Sequence, residues 1–448
     1  MQKNNILNNR NKLKAYVKTF GCQMNVNDSE YLFGQLKHLN YLLTDNISDA
    51  DLILLNSCCV RKKVEQKIYS LIGRIRKLKI NNPDIKLGLC GCLAQKEKEN
   101  IFKDAPSVDF LLGPSRINEL EGLIKKIEIN NKKYLYCSHL PEFTLKNIPI
   151  KRNGNITALV QIMRGCNNFC NYCIVPYTRG PEQSREVDEL LSEVKNLIKE
   201  GYKEIFLLGQ NVNSYGQDLK KPVTFSELLQ MVSKIDGMGR IRFITSHPKD
   251  LSFDLIETIK NEKKICNHIH LPIQSGSDKV LKLMNRNYDI HRYKTIFNKI
   301  RNSIEKISIT TDIMVGFPGE TDNDFNDTLT FFKKMEFDNM YSFIYSNREN
   351  TVSSLMPNQV PLSIKKERLW KLIDLQKKIA TKINKKIEGK TVEVLVEGPS
   401  RKDIDGQLTG RTDTNKSVIF KGKNELTGKL VLIKIFEADA WTLFGELV

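Results

Sequence analysis

Cys166-Asn167-Asn168-Phe169-Cys170-Asn171-Tyr172-Cys173 places three thiols at C-x3-C-x2-C spacing, directly after the strand-like run 158–163. Thiolates so spaced turn inward from one loop and hold three corners of an iron–sulfur cluster. A four-iron cluster wants four ligands, so one iron is left open to bind a small molecule. A tetrahedral zinc site needs a fourth ligand, and no further His or Cys lies nearby in sequence. An Asn-rich loop is also a poor place for three cysteines that merely pack in a core. Tyr172 is placed to shield a cluster with its ring.

Outward from this loop, strand patterns recur at 204–208, 241–245, 268–271, 307–314 and 340–345. Helix-sized segments lie between them at 186–199, 225–235, 251–260, 288–303 and 324–335. Six strand–helix units fall short of the eight in a complete barrel, so the pattern predicts an α/β domain shaped as a partial (βα)6 barrel. Groups that act in such sheets lie at the carboxyl ends of the strands.

Toward the N-terminus the alternation is simpler. Strand patterns at 15–20, 51–56 and 85–89 alternate with helices at 27–39, capped by Asn27 or Asp28, and 64–78, which predicts a parallel α/β sheet. Cys22, Cys58 and Cys92 each follow one of these strands. Strands of one parallel sheet point the same way, so the three thiols converge on one edge as a second site with an open position. Cys59 should point away from Cys58, and Cys90 lies within the third strand, so both read as packing residues. Cys137 and Cys266 have no partner at ligand spacing. Residues 130–155, with Pro141 and Pro149, read as a linker.

Beyond the central domain, 364–387 reads as one charged helix. Five short strand patterns follow at 392–396, 407–411, 417–420, 430–436 and 443–447, suggesting a small antiparallel barrel of the kind that binds RNA. Apolar residues make up 40% of the 448, which excludes a disordered chain, and no run approaches the ~18 apolar residues of a membrane span. The segment MQKNNILNNRNKLK carries Lys3, Arg10, Lys12 and Lys14 without an apolar core, and reads as a cytosolic basic arm. Ten clustered cysteines point to metal or redox chemistry rather than a disulfide scaffold.

The net charge of +18 favours a polyanionic partner, and its placement is informative. Residues 385–448 have 11 basic and 10 acidic residues, whereas 363–390 have 10 and 3, and 61–79 have 8 and 1. RNA phosphates are therefore expected across the two helices and the arm, with the barrel giving shape-specific or aromatic contacts.

C-x3-C-x-aromatic-C on a six-unit (βα) domain resembles the radical S-adenosylmethionine (SAM) enzymes. The whole chain is similar to their methylthiotransferase family. The matching segments are Gly21-Cys22-Gln23-Met24-Asn25, Asn56-Ser57-Cys58, Gly91-Cys92-Leu93-Ala94-Gln95, Arg164-Gly165-Cys166, and Pro176-Tyr177-Thr178-Arg179-Gly180. Further matches are Leu208-Gly209-Gln210-Asn211-Val212-Asn213, Thr245-Ser246-His247-Pro248, His270-Leu271-Pro272-Ile273-Gln274-Ser275-Gly276-Ser277 and Asp312-Ile313-Met314-Val315-Gly316-Phe317-Pro318-Gly319-Glu320-Thr321. The C-terminal barrel is similar to the TRAM domain, an RNA-binding module of OB-like shape. Gln23-Met24-Asn25 and Gly410-Arg411-Thr412-Asp413-Thr414-Asn415-Lys416 resemble the branch acting on isopentenylated adenosine in tRNA.

The resemblance implies an N-terminal domain at 13–130, a linker at 131–151, a radical SAM core at 152–382 and a TRAM barrel at 383–448. It implies that Cys166, Cys170 and Cys173 hold a 4Fe–4S cluster joined by SAM, and that Cys22, Cys58 and Cys92 hold an auxiliary 4Fe–4S cluster. One SAM would give a methyl group to sulfur, and another the radical that takes hydrogen from C2 of adenosine 37, next to the anticodon. Gly209 and Gln210 would meet the methionyl end of SAM, Gln274 and Ser275 its ribose, and Val315 and Gly316 its adenine. His247 is a pocket candidate, Glu320 equally a helix N-terminal acid, and Arg286 a solvated helix end; no catalytic residue is assigned.

The implied partners are a tRNA anticodon stem-loop and an electron donor such as flavodoxin or ferredoxin, with a monomer working in the cytoplasm. Other readings are methylthiolation of threonylcarbamoyl adenosine or of a ribosomal-protein aspartate, and a zinc-stabilised RNA-binding protein. One departure from the family pattern is Tyr345-Ser346-Asn347-Arg348-Glu349-Asn350-Thr351-Val352-Ser353, where two prolines and a glycine are lost. That puts the loop's rigidity in question, and Asn350 is the residue suited to a left-handed turn.

Overall fold

The computed structural model describes residues 12–59, 62–130, 132–143, 145–400 and 406–448. Lys3 and Arg10 of the basic arm, and Arg61, lie outside them. The chain divides into two compact units. One comprises 1–154 with 163–167 and 174–185, and the other 155–162, 168–173 and 186–448.

The first unit is built on a six-stranded parallel sheet. Its strands are β1 (Lys14–Phe20), β2 (Leu42–Leu43), β3 (Leu52–Ser57), β4 (Lys86–Gly91), β5 (Phe110–Leu112) and β6 (Tyr134–Tyr136), in the order β2-β1-β3-β4-β5-β6. β3 is buried along its whole length, as its unbroken LILLNS run requires of a strand covered on both faces. β6 lies inside the stretch expected to be a linker; three half-buried residues are too short a signal to read as a strand. Helix α1 (Gln23–His38) starts at Cys22 rather than at Asn27 or Asp28, and both of those residues are buried inside it. Helix α2 (Lys62–Asn81) buries Ile68, Leu71, Ile72 and Ile75 and turns its cations outward. Helix α3 (Cys92–Glu97) follows β4 with no intervening residue.

The second unit opens with β7 (Thr157–Gln161). After the two-residue ladder of β8 (Met163–Arg164) with β9 (Gln183–Ser184), which belongs to the first unit, the (βα) alternation runs on. It comprises β10 (Glu204–Leu208), β11 (Arg240–Phe243), β12 (His268–His270), β13 (Ser308–Val315) and β14 (Asn339–Ile344). All pairings are parallel, in two three-stranded sheets, β11-β10-β7 and β12-β13-β14, and a single bridge from Ile241 to Ile265 continues the curve. This is the expected six-strand partial barrel. The helices between its strands begin at Thr224, Ser252, Asp289 and Thr321, whose side chains accept a backbone N–H of the first turn.

The C-terminal strands β15 (Thr391–Pro399), β16 (Gln407–Thr412), β17 (Ser417–Lys421), β18 (Leu430–Ala438) and β19 (Thr442–Leu447) close as β15-β16-β17-β19-β18. The barrel is not wholly antiparallel, as expected from the sequence, because β17 and β19 run parallel. A closed ring with an odd number of strands cannot alternate direction all the way round, so one parallel pair is unavoidable. Val394, Val396, Leu408, Val418, Phe420, Ile433 and Leu443 fill its interior.

Candidate functional site

In the first unit, β1, β3 and β4 are neighbours, and Phe20, Ser57 and Gly91 stand opposite one another in register. The next residues along are therefore level: Cys58 follows Ser57, Cys92 follows Gly91, and Cys22 stands two beyond Phe20. The Cys58 N–H donates to the Phe20 carbonyl at 2.9 Å, tying two of these strand ends together. Gly21 and Gly91 have φ of 145° and 86°, and a Cβ on Gly91 would lie 2.5 Å from the Ser57 carbonyl oxygen. On Gly21 it would lie 2.2 Å from Asn25 Oδ1 and 2.8 Å from the Cys58 Cβ. Only glycine permits so sharp an exit from strand to cysteine.

Cys22 is exposed, whereas Cys58 and Cys92 are buried. Cys22 also caps α1, its thiol pointing at Asn25 Oδ1 3.5 Å away. The Cys92 thiol is drawn down to about 6, first by a hydrogen bond from Cys59 and then by the charge of Arg179, against the opposing effect of burial. Cys59 therefore meets Cys92 in addition to packing in the core, rather than only turning away from Cys58. Arg179 is buried and donates to Asp28 Oδ2 at 2.7 Å. Burial opposes its charge, but Asp28, Cys92 and Cys22 hold it firmly protonated. A thiolate beside a fixed guanidinium is the state in which cysteine binds iron.

Cys90, Cys137 and Cys266 are buried, and burial pushes all three thiols up, Cys137 and Cys266 to about 12. They stay protonated, as packing residues do.

The C-x3-C-x2-C loop is divided between the units. Cys166 belongs to the first, its N–H donating to the Gly180 carbonyl at 3.1 Å. Cys170 and Cys173 belong to the second and form a tight turn, with the Cys173 N–H donating to the Cys170 carbonyl at 2.8 Å. Within the second unit that turn is clamped. The Asn171 N–H donates to the Met284 carbonyl at 3.0 Å, and its side-chain amide to the Leu283 carbonyl at 2.8 Å. Arg286, expected at a solvated helix end, is buried instead. Its guanidinium approaches the Cys170 sulfur at 3.5 Å and donates to the Pro272 carbonyl at 2.8 Å and the Tyr288 hydroxyl at 2.9 Å. Tyr172 packs edge-on to Phe317, with centroids 6.3 Å apart.

The altered loop closes on the same turn. Asn350 takes the left-handed conformation, φ 67°, and Thr351 Oγ1 donates to the Arg348 carbonyl at 2.7 Å. Tyr345 donates to Ser353 Oγ at 3.0 Å, and the Ser353 N–H donates to the Asn171 carbonyl at 2.9 Å. Hydrogen bonds hold the loop where the family uses proline.

Among the residues expected at SAM, Gly209 follows β10 directly and is buried, and Gln210 stands next to it, partly exposed. Gln274 has a positive φ of 73° and bridges to Ile313, while Ser275 Oγ accepts the Ser277 N–H at 3.2 Å. Val315 ends β13. The Gly316 N–H donates to both oxygens of Glu320, whose carboxylate also pairs with Arg368 at 2.6 Å. Glu320 is thus a buried strut under the Val315–Gly316 turn, not a helix-end acid.

Among the described residues, no three His, Cys, Asp or Glu side chains converge where a single metal ion would sit.

The two basic helices differ. On α2, Lys62, Lys63, Lys67, Arg74, Arg76 and Lys77 are exposed and have no ion pair among the described residues. On the long helix Leu362–Lys385, Lys365 and Arg368 are buried, and Lys371, Lys378 and Lys382 pair with Glu367, Asp374 and Glu336. Much of that helix's expected phosphate-binding charge is already engaged. On the barrel, Phe436 and Trp441 stand exposed.

Comparison with known proteins matches residues 160–332 to the radical SAM superfamily, 14–113 to the uncharacterized protein family UPF0004, and 385–448 to the TRAM domain. The chain is 46% identical over 98% of its length to the tRNA-2-methylthio-N(6)-dimethylallyladenosine synthase of Thermoanaerobacter pseudethanolicus, covering 94% of that protein. It is 45% identical over 97% of its length to the protein of the same name from Carboxydothermus hydrogenoformans, covering 99% of it. Among solved structures, the radical SAM methyltransferase TsrM of Kitasatospora setae, with cobalamin and a 4Fe–4S cluster bound, superposes with a TM-score of 0.57 over 77% of each chain at 12% identity. At that identity the likeness is one of fold. Near full-length identity to named synthases, with matches to the radical SAM superfamily, UPF0004 and the TRAM domain, leads to one conclusion: the chain belongs to the methylthiotransferase family of radical SAM enzymes, the family of the tRNA-2-methylthio-N(6)-dimethylallyladenosine synthases.

Proposed function

We propose that this chain converts N6-(dimethylallyl)adenosine at position 37 of tRNA to 2-methylthio-N6-(dimethylallyl)adenosine, using one SAM as methyl donor and one as radical source. The observation that carries the reading is 46% identity over 98% of the chain to a synthase of that reaction. No finding favours threonylcarbamoyl adenosine, a ribosomal-protein aspartate or a zinc-stabilised RNA binder instead. The enzyme is a radical SAM transferase whose cofactors are two 4Fe–4S clusters and SAM. When bound, these cofactors supply the sulfur, the methyl group and the abstraction of hydrogen from carbon.

Cys166, Cys170 and Cys173 hold the cluster that SAM joins, and Arg286 orients Cys170 through its sulfur contact. Cys22, Cys58 and Cys92 hold the auxiliary cluster. Their level placement on β1, β3 and β4 supports that role, as does the thiolate character of Cys92 beside Arg179. Gly209, Gln210, Gln274, Ser275, Val315 and Gly316 line the SAM path. The labour divides at 13–130, 152–382 and 383–448. The exposed cations of α2 support an approach of tRNA phosphates there, and Phe436 and Trp441 support base or ribose contacts on the barrel. An electron donor such as flavodoxin or ferredoxin serves a cytoplasmic monomer. No helix among the described residues is long and apolar enough to cross a membrane.

Mass spectrometry of tRNA nucleosides from a strain lacking the gene tests the reaction. Loss of the 2-methylthio nucleoside with build-up of N6-(dimethylallyl)adenosine is expected. An unchanged profile would refute the assignment.

A further inference from the structure

Beneath Cys22, Cys58 and Cys92 lies a layer of uncharged polar side chains that no step of the proposed reaction uses. Asn25, Ser29, Asn56 and Ser57 are all 0% exposed. Apolar side chains would fill the same space without the cost of desolvating amides and hydroxyls. A buried polar layer holds its members in one arrangement, and that rigidity is what its cost obtains.

The bonds of this layer run from strand to strand. Thr19 Oγ1 on β1 is hydrogen-bonded to Ser29 Oγ on α1 at 2.7 Å. Asn56 Nδ2 on β3 donates to Ser29 Oγ and to the Asn25 carbonyl, both at 2.8 Å. Asn25 Nδ2 donates back to β3, at the Ser57 carbonyl, 3.4 Å away. Ser57 Oγ donates to the Cys90 carbonyl on β4 at 2.5 Å. Side chains therefore tie together the three strands that carry the cysteines, in addition to the ladder between their backbones.

The layer reaches the cysteines through its two asparagines. The Cys22 N–H donates to Asn25 Oδ1 at 3.4 Å, and the Cys22 thiol lies 3.5 Å from the same oxygen. The Ser57 carbonyl that Asn25 holds belongs to the peptide bond of Cys58, whose N–H is the one bound to Phe20. Asn56 Oδ1 has no hydrogen-bond partner among the described residues. It packs instead against Gly91, where a Cβ would stand 2.6 Å from it. The two glycines that precede Cys22 and Cys92 thus leave the space that two asparagine oxygens fill. An amide suits the task, because it offers a rigid donor and acceptor with no charge to repel thiolates or compete for them.

We propose that Asn25 and Asn56 are positioning residues of the auxiliary centre, which hold Cys22, Cys58 and Cys92 in place before iron arrives. Asn25 fixes the exits to Cys22 and Cys58, and Asn56 the exit to Cys92. The inference rests on the assignment of these three cysteines to the auxiliary cluster.

The test uses the full-length chain carrying Cys166→Ala, Cys170→Ala and Cys173→Ala, so that only this centre fills on anaerobic reconstitution. Two properties are read: the rate at which a ferrous chelator removes the iron, and the EPR spectrum of the reduced cluster. Asn25→Ala should release iron about tenfold faster, the equivalent of one hydrogen bond, and shift the g-values. Asn56→Ala should act in the same direction. Asn25→Asp keeps the shape and the acceptor for Cys22 but loses the donor to Ser57; it should show both changes, and it carries the test if alanine does not fold. Gln35, a buried amide of the same helix, donates to the Ile117 carbonyl at 2.8 Å and is the control. Gln35→Ala should lower Tm and leave the release rate and spectrum as they were. Unchanged release and spectra in the asparagine variants overturn the proposal, as does equal acceleration in Gln35→Ala at equal loss of Tm. If the chain with both asparagines intact assembles no cluster, the cysteine assignment has failed and the proposal falls with it. A cluster that assembles and is indifferent to the asparagines counts against the proposal alone.

Discussion

The two cysteine triads each offer three thiols but assemble them differently. Cys22, Cys58 and Cys92 are 70 residues apart from first to last, and come level because three strands stop at one register. Cys166, Cys170 and Cys173 come from one loop of eight residues, whose turn is clamped by Leu283, Met284 and Ser353. The first centre is therefore as sound as the sheet beneath it, and the second as sound as its loop. Damage to the sheet should empty one centre and spare the other.

The largest effect separates them chemically. Cys22→Ala and Cys166→Ala should each abolish the methylthio product. Cys22→Ala should keep reductant-driven cleavage of SAM to 5′-deoxyadenosine, whereas Cys166→Ala should lose it. Equal loss in both would erase the distinction. Next comes Arg179→Met, which leaves buried Asp28 without its partner and should cost about 3–5 kcal/mol. Denaturant unfolding, with iron analysis showing roughly half the metal retained, would check that the loop centre survives.

Gly91→Ala forces a Cβ against the Ser57 carbonyl at positive φ, an expected cost of about 2–3 kcal/mol. Its iron loss should again be confined to the strand-built centre. Smallest is Cys59→Ala, at about 1 kcal/mol in a melting experiment. Product formation should persist, because Cys59 packs in the core and hydrogen-bonds Cys92. Abolition of activity would make it a fourth ligand and redraw the comparison.

Much of this is legible in the sequence. Strands β3 and β10 hold continuous apolar runs, and Thr224, Ser252, Asp289 and Thr321 announce their helices, so the partial barrel follows from local signals. The loop triad is readable for the same reason, since its spacing is its geometry. Features that depend on partners distant in sequence were harder to read. The start of α1 is not legible locally, because Asn25, Asn27, Asp28, Ser29 and Glu30 are buried polar residues that look like a solvated segment without their partners. Asp28 needs Arg179, 151 residues away. Arg286 follows the pattern of a helix-end cation, and only tertiary packing turns its guanidinium onto Cys170.

The parallel pair that closes the TRAM barrel has a consequence for synthesis. In the order β15-β16-β17-β19-β18, the last strand made is the one inserted between two others. Until β19 arrives, β17 and β18 each present an open edge of unpaired backbone, a template for pairing with another chain. The barrel cannot seal while the ribosome still holds residues 442–447, so it closes only after both cysteine triads have been translated. A chain cut before Thr442 should carry both triads and still be lost to edge-to-edge aggregation.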